Sequence, residues 1–138
     1  MAERGRISLA RAQSVLACIL ERAAKDGGKP VAVAVVDDRG DLVVFARQDG
    51  VAHRSVRIAQ DKAYTSALQE SSTRDFVASL KKAERPIAAF ADPRYVGLAG
   101  GVLLEGGGAL VGAVGVSGRS ADEDHELASE GAKTLASR

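Results

Sequence analysis

Apolar residues in the first part of the chain recur every three or four positions, which is the spacing of one face of an α-helix. The pattern covers residues 8 to 27, and its apolar members are Ala12, Val15, Leu16, Ile19, Leu20 and Ala23. Ser8 is suited to cap the start of this helix, while Gly27 and Gly28, followed by Pro30, are suited to end it. The sequence therefore predicts a first helix over this segment.

Two pairs of short runs rich in valine and leucine predict two β-hairpins. Residues 31–36 and 42–46 flank a turn that contains aspartate and glycine, and residues 101–105 and 109–116 flank three consecutive glycines. Residues 31–36 are apolar without interruption, which is typical of a strand covered on both faces. We expect this strand to lie in the middle of a sheet.

The remaining pattern predicts three more helices. One runs from about Ser55 to Gln69 with alanines along one row, and a shorter one runs from Ser72 to about Lys82. The last helix opens with Ser120 and Glu123, the spacing of a capping box. Residues 84–97 show no clear period and predict an irregular segment. The order α-β-β-α-α-β-β-α predicts an α+β fold, a mainly antiparallel sheet with helices packed on its faces.

Composition limits the classes of partner. The chain has 138 residues, 46% of them hydrophobic, which predicts one domain over residues 1–138. Nineteen basic and 18 acidic residues are interspersed, and there is no tryptophan, so no basic or stacking surface for nucleic acid is predicted. The three glycines at Gly112, Gly115 and Gly118 lack the spacing of a phosphate loop or a dinucleotide turn, so no nucleotide cofactor is expected.

Membrane and export signals are also absent from the pattern. The longest apolar stretch, residues 31–36, is far too short to span a bilayer, and charges interrupt the N-terminus before an export signal develops. The one cysteine, Cys18, rules out a disulfide within the chain and fits a reducing compartment. Among helical core positions it is predicted to be a buried, inert thiol. We expect a cytoplasmic protein with no membrane partner.

Motifs in a fixed order along most of the chain resemble those of the GlcG/HbpS family, which is also similar to the C-terminal domain of PduO proteins. They are Val35-Val36-Asp37-x-x-Gly40, Arg47-x-Asp49-Gly50, Ala59-x-x-Lys62-Ala63, Gly100-Gly101, Gly112 to Gly118 and the helix start containing Asp124. The resemblance implies a profilin-like α/β/α sandwich that assembles into homo-oligomers. It also implies a ligand-handling role that includes haem or another tetrapyrrole in some members. The chain departs from the family pattern at Glu123-Asp124-His125, where Gln-Asp-Glu is common, and at His53, in a loop that varies.

Two cationic residues are candidates for holding a carboxylate, including a haem propionate. Arg47 at a strand end and Lys62 on the second predicted helix converge if both face one rim of the sheet. The alternative is surface salt bridging with Asp49 or Asp61. Both interpretations remain open from the residues alone.

The predicted strand over residues 109–116, with the Ser117 that follows it, and the two histidines supply further candidates for ligand binding. Missing side chains near Gly115 either leave room for a flat ligand, with the Ser117 hydroxyl available to an anion, or mark a close backbone approach. His53 is a candidate metal ligand for haem iron, or merely a solvated loop residue. Tyr64 and Tyr95 are alternative oxygen ligands. The acidic run from residue 122 to 126 is better explained by the helix dipole than by a metal cluster.

Three functions are compatible with these residues. The leading hypothesis is a small-molecule-binding protein for haem or a related tetrapyrrole, with a pocket at the sheet edge or a subunit junction. The alternative is an enzyme acting on a small carboxylate or aromatic metabolite, in which Lys62 or a histidine transfers a proton. Its acid partners would be among Asp37, Asp124 and His125. A third reading is a structural subunit. A homo-oligomer is predicted in each case.

Overall fold

The computed structural model describes residues 4–136, with only the backbone of Ala136, so both ends of the predicted domain 1–138 lie outside the described residues. The first three residues of the segment examined for an export signal lie outside them too. The elements in chain order are α1 Leu9–Lys25, β1 Ala32–Asp37, β2 Leu42–Arg47, α2 His53–Gln69, α3 Thr73–Ala83, a 3-10 turn Ile87–Phe90, β3 Gly101–Gly106, β4 Ala109–Ser117 and α4 Ala121–Ala136. The predicted order of helices and strands is confirmed.

The four strands form one open, antiparallel sheet in the order β2-β1-β4-β3. Every residue of β1 is buried, and β4 is buried from Leu110 to Ser117. These are the two central strands, as the uninterrupted apolar run predicts for β1. β2 and β3 form the edges, where exposure is greater.

Helices cover both faces of the sheet and make it the middle layer of an α/β/α sandwich. On one face, α1 and α4 pack against the sheet through a core that includes Val15, Ile19, Val33 and Leu127. Complete burial of a side chain such as Ile19 stabilises the fold by about 1.5–3 kcal/mol. On the other face, the alanines of α2 pack on Ala32, Ala34, Val36 and Ala113. The predicted sandwich is confirmed.

Small residues let α2 approach the sheet unusually closely. A Cβ atom added at Gly115 of β4 would collide with the carbonyl oxygen of Ala59, and one added at Gly101 of β3 would collide with that of Lys62. Both glycines therefore make room for the backbone of α2. This close approach brings the side chain of Lys62 down between the helix and the ends of the strands.

The irregular segment before β3 is fixed over α2 and α3 by an aromatic cluster. The Phe90 and Tyr95 rings stack with centroids 5.2 Å apart, and Phe76 contacts both rings edge-on. The Val96 amide donates to Thr65 Oγ1 at 3.0 Å, and the Gly101 amide donates to Thr73 Oγ1 at 2.9 Å. These contacts hold the chain that leads to Gly100.

Candidate functional site

Lys62 is buried on α2, with only 2% of its side chain exposed. Its Nζ donates to the Val116 carbonyl at 2.9 Å and to Asp124 Oδ2 at 3.0 Å. An ammonium has three protons to donate, so two bonds leave one further donor. Of the two interpretations left open for Lys62, the surface salt bridge with Asp49 or Asp61 is wrong, because the close approach of α2 to the sheet buries the ammonium beside Asp124.

The turn between β4 and α4 positions Asp124. The Ser120 hydroxyl accepts from the Glu123 amide at 3.2 Å, and Glu123 Oε1 accepts from the Ser120 amide at 3.3 Å, which confirms the predicted capping box. Asp124 lies one residue further on, with Oδ1 accepting from the Arg119 amide at 3.0 Å. Its other carboxylate oxygen is thereby directed at Lys62.

Burial perturbs both members of this ion pair. It lowers the pKa of the Lys62 ammonium, against the opposing effect of the Asp124 charge. Burial also raises the pKa of Asp124, against the opposing effect of Lys62. Loss of solvent therefore outweighs the attraction within the pair. Buried groups perturbed in this way concentrate at functional sites.

Gly100 completes the surroundings of Lys62. Its φ angle is +134°, and a Cβ atom added there would lie 2.7 Å from Lys62 Nζ and 2.6 Å from the Val116 carbonyl oxygen. The Gly100 carbonyl also accepts from the Val116 amide at 2.9 Å. A side chain at this position would displace the ammonium from its partners.

A small pocket opens beside this ion pair, where β4 ends and α2 and α4 begin. Its volume is about 160 Å³. Its lining combines cationic, hydroxyl, apolar and backbone groups from Ala52, Arg54, Ser55, Ile58, Lys62, Leu98, Ser117, Gly118, Arg119, Ala121 and Asp124. We call this the α2 pocket. It brings together two of the residues selected from the sequence, Lys62 and Ser117.

Two buried serines line the α2 pocket. Ser55 is 3% exposed and Ser117 is 5% exposed. Ser117 has the same orientation on β4 as Gly115, two residues earlier, which faces α2. Neither hydroxyl makes a hydrogen bond to a protein atom within residues 4–136, and neither oxygen is fully enclosed, because the fully buried side-chain atom without a partner in this range is His125 Nδ1. Both serines line the pocket, where their hydroxyls stay accessible to a ligand.

The cations around the pocket differ in their freedom. The Arg119 guanidinium donates to both carboxylate oxygens of Asp26, at 2.6 and 2.8 Å, and to the Lys29 carbonyl at 2.7 Å. These bonds tie the start of α4 to the end of α1. Arg54 is exposed and makes no ion pair within the described part of the chain. The charges available to a ligand are therefore those of Arg54 and Lys62.

His53 is the first residue of α2, not a loop residue as the sequence indicates. Its predecessor Ala52 occupies the cap position and supplies no side-chain hydrogen bond. The missing cap residue removed the local signal for the helix start. His53 is exposed and does not line the α2 pocket, although its two chain neighbours do. Its metal-ligand role stays a prediction.

Arg47 and Gly115 lie outside the pocket lining. Arg47 is exposed at the end of edge strand β2, paired with Ala32, which in turn pairs with Ser117. Two strand spacings, about 9.5 Å, therefore separate the backbones of Arg47 and Ser117. The space above Gly115 is filled by the α2 backbone. The ligand-binding roles of both residues stay predictions.

The other candidate ligands have different partners. Tyr64 donates to Asp92 Oδ2 at 2.5 Å, and Tyr95 accepts from Gln69 Nε2 at 2.7 Å. Asp37 Oδ1 accepts from the Arg39 and Asp41 amides in the first hairpin turn. His125 is 8% exposed and its Nδ1 has no partner in the described structure. Within residues 4–136, no three histidine, cysteine or acidic side chains are grouped to hold a metal ion.

A wider groove of about 780 Å³ runs between α1 and α4. Several of the charged side chains that line it form ion pairs with each other, including Arg22 with Glu130 at 3.1 Å and Arg119 with Asp26. Cys18 lines this groove, half-buried rather than buried as the sequence predicts, with Sγ 3.9 Å from the Glu130 carbonyl oxygen. The thiol lies on the flank of α1 that faces α4, away from the sheet. The groove thus lacks the free donors of the α2 pocket.

Sequence reasoning missed three features of the α2 pocket. It did not select Arg54 or Ser55, because one serine and one arginine at a helix start carry no distinctive pattern. It named Asp124 only as one of three candidate acid partners for a proton-transferring residue such as Lys62, 62 positions away, and did not predict their buried ion pair. The alanine row of α2 was the signal from which the burial of Lys62 could have been predicted, because Lys62 adjoins Ala59 and Ala63 on the buried face.

No helix in the described part of the chain has the length and apolarity needed to cross a bilayer.

Sequence comparison matches residues 7–133 to a family model described as haem degrading protein HbpS-like. Protein GlcG of Escherichia coli K12 is 33% identical over 111 residues, which cover 80% of this chain and 81% of GlcG. An uncharacterized 15.0 kDa protein of Citrobacter freundii is 30% identical over 124 residues, covering 88% and 87% of the two chains. The comparisons give no support to an acid/base enzyme acting on a small carboxylate or aromatic metabolite.

Solved structures agree with this assignment. A double mutant of HbpS from Streptomyces reticuli has a TM-score of 0.85 and 32% identity, covering 98% of this chain and 90% of that one. A complex of PduOC with heme has a TM-score of 0.84 at 23% identity, covering 95% and 96%, and shows likeness of fold. The GlcG/HbpS resemblance of the motifs is thus confirmed, and the chain belongs to the HbpS-like family.

Proposed function

We propose that this protein binds a small molecule of the haem or tetrapyrrole class and anchors it by a carboxylate arm in the α2 pocket. The observation that carries the proposal is the convergence of two cations, Arg54 and Lys62, on one pocket with an apolar flank. That flank consists of Ile58 and Leu98. Cations recognise a propionate, while apolar side chains suit the ring to which it is attached.

The relatives support the choice of ligand class. The matching family is described as haem degrading, and one protein with the same fold was solved in complex with heme. Both descriptions belong to the relatives, so haem as the ligand of this chain is our proposal. The acid/base role of Lys62 is not part of it, since the ammonium is engaged with Asp124 and the Val116 carbonyl.

The size of the pocket decides which part of such a ligand enters. Sites for drug-sized ligands enclose about 300–1,000 Å³, whereas the α2 pocket encloses about 160 Å³. The enclosed space therefore fits a carboxylate arm and not the macrocycle. The ring would lie at the mouth, beside Leu98, which is 45% exposed.

His53 is our proposed ligand for the iron of a bound haem. It is an exposed imidazole at the start of α2, between two residues that line the pocket. Histidine nitrogen is a common axial ligand of haem iron. Haem would supply the iron chemistry when bound, and this chain would supply the anchor for the carboxylate and one axial donor.

Haemin titration followed by the Soret band tests the proposal. We expect a saturable, near-stoichiometric red shift with the wild-type protein. Arg54→Gln should weaken haemin binding about fivefold, a loss of ~1 kcal/mol for one partly exposed charged contact. His53→Ala should alter the position of the saturated band, because the axial ligand changes.

Arg57→Gln is the matched control, because Arg57 is an exposed arginine on the same helix outside the pocket lining. It should bind haemin as the wild type does. The proposal is wrong if haemin produces no saturable shift, or if Arg57→Gln weakens binding as much as Arg54→Gln.

A homo-oligomer in the cytoplasm completes the proposal. A ring at the mouth of the α2 pocket would leave one face open, and a second copy of the chain is a suitable cover. Light scattering that gives the mass of a single chain at every protein concentration would contradict this part. The haem proposal itself does not depend on it.

A further inference from the structure

The start of α2 is a bare helix terminus that adjoins the α2 pocket. The first turns of α1, α3 and α4 are each capped by a serine, whereas Ala52 at the start of α2 cannot accept a hydrogen bond through its side chain. The first backbone amides of a helix have no acceptor within it. They also carry the positive end of the helix dipole, which favours an anion.

The two buried serines are an independent indication of a ligand here. Ser55 and Ser117 are at least nine-tenths buried, line the pocket and have no hydrogen-bond partner among residues 4–136. Their hydroxyls therefore face the space of the pocket without a protein acceptor or donor to occupy them. Two such hydroxyls in the lining of one small pocket match a ligand with two acceptor oxygens.

The charges of the pocket select the kind of acceptor. Arg54 makes no ion pair with any residue in the range 4–136, and Lys62 retains one proton beyond its bonds to Val116 and Asp124. Donors thus come from two cations, two hydroxyls and a helix terminus, while the acidic group in the lining, Asp124, is already engaged. A neutral amide would place its own donors against these donors. A carboxylate presents only acceptors.

We infer that the α2 pocket is a carboxylate site in its own right, which binds a free short-chain monocarboxylate as well as the acid arm of a larger ligand. The inference uses the pocket of the proposed function but does not need a tetrapyrrole. The volume of about 160 Å³ limits the enclosed ligand to a few heavy atoms. The Ser55 amide already donates to the Ala52 carbonyl at 3.0 Å, so the amides of His53 and Arg54, with the hydroxyls of Ser55 and Ser117, bind the carboxylate. Ile58 and Leu98 contact its short carbon chain.

Amide-resolved NMR with sodium propionate tests the inference, and propionamide serves as the neutral ligand of the same shape. We expect propionate to shift the amide signals of residues 53–55 and 117–119 saturably, and propionamide to leave them unchanged. Replacing both serines, Ser55→Ala with Ser117→Ala, should weaken propionate binding about tenfold, the effect of losing hydrogen bonds to a charged group. Circular dichroism checks that the variant is folded.

Ser79→Ala is the matched control, since the Ser79 hydroxyl donates to the Phe76 carbonyl within α3. It should bind propionate as the wild type does. The inference is overturned if propionate shifts these signals no more than propionamide, or if the folded double-serine variant binds as tightly as the wild type. If that variant does not fold, the comparison of propionate with propionamide on the wild type decides.

Haemin and its dimethyl ester separate this inference from the proposed function. If both bind equally and propionate is silent, the carboxylate site and the carboxylate anchor are wrong, and only the haem-binding part of the proposed function stands. If propionate binds while haemin does not, the haem proposal is wrong and the carboxylate site stands. Tighter binding of haemin than of the ester, together with propionate binding, supports both.

Discussion

At the scale of single residues, His125 shows how burial without a partner controls protonation. The ring is 8% exposed and its Nδ1 lacks a hydrogen-bond partner in the described structure. Burial lowers the pKa of His125, and the nearby Arg74 charge lowers it further, while Glu126, Asp75 and Asp122 oppose the shift. The folded protein therefore favours the neutral imidazole more than the unfolded chain does.

Stability should consequently fall in mild acid. A histidine has a pKa of about 6.5 when unfolded, so below this value the unfolded chain binds the proton more readily than the folded one. The stabilising contribution of His125 is complete above about pH 6.5 and is lost as the pH falls below it. Urea unfolding between pH 7.5 and 5.5 measures this. His125→Gln should flatten the pH dependence, and His53→Gln, at an exposed site, should leave it intact. An unchanged slope in His125→Gln would contradict the account.

At the scale of elements, the pair of Lys62 and Asp124 joins α2 to α4 beside the end of β4. Removing one member of a buried pair leaves an uncompensated charge, which is strongly destabilising, whereas neutralising both is much less so. The approach of α2 that buries the pair requires Gly101 and Gly115. The buried ion pair therefore depends on the close packing of α2, α4 and β4.

A double-mutant cycle tests this coupling. Lys62→Met should lower the free energy of unfolding by about 3–5 kcal/mol, because Asp124 remains buried and charged. Adding Asp124→Asn should recover part of that loss, since the amide carries no charge. Urea unfolding followed by circular dichroism gives the four values. If the double variant shows the sum of the two single losses, the residues are not coupled and the site description is wrong.

At the scale of the whole molecule, the proposed binding site lies where the sheet ends and two helices begin. α1 and α4 supply the larger apolar core, and α2 covers the opposite face through small residues. The α2 pocket lies at one end of the interface between α2 and the sheet. The irregular segment before β3, which the aromatic cluster of Phe76, Phe90 and Tyr95 fixes over α2 and α3, contributes Leu98 to its lining. A rigid sandwich thus positions a small polar site at its edge.

The sequence predicted the features that depend on local pattern. The buried run of β1 and the capping box at Ser120 are short-range signals, and both were confirmed. The start of α2 was not found because Ala52 is not a capping residue. Asp124 was named only as one of three candidate acid partners of a proton-transferring residue, because its ion pair with Lys62 depends on how three elements pack and not on any spacing along the chain.

Competition between haemin and propionate tests whether the α2 pocket holds a haem ligand by its carboxylate. Haemin is titrated by its Soret band at increasing sodium propionate, with propionamide and matched sodium chloride as controls. We expect the apparent Kd of haemin to rise linearly with the propionate concentration and to double when propionate half occupies the site, and we expect propionamide and salt to have no such effect. Unchanged haemin affinity at saturating propionate would show that the ligand is not held by its carboxylate at the start of α2.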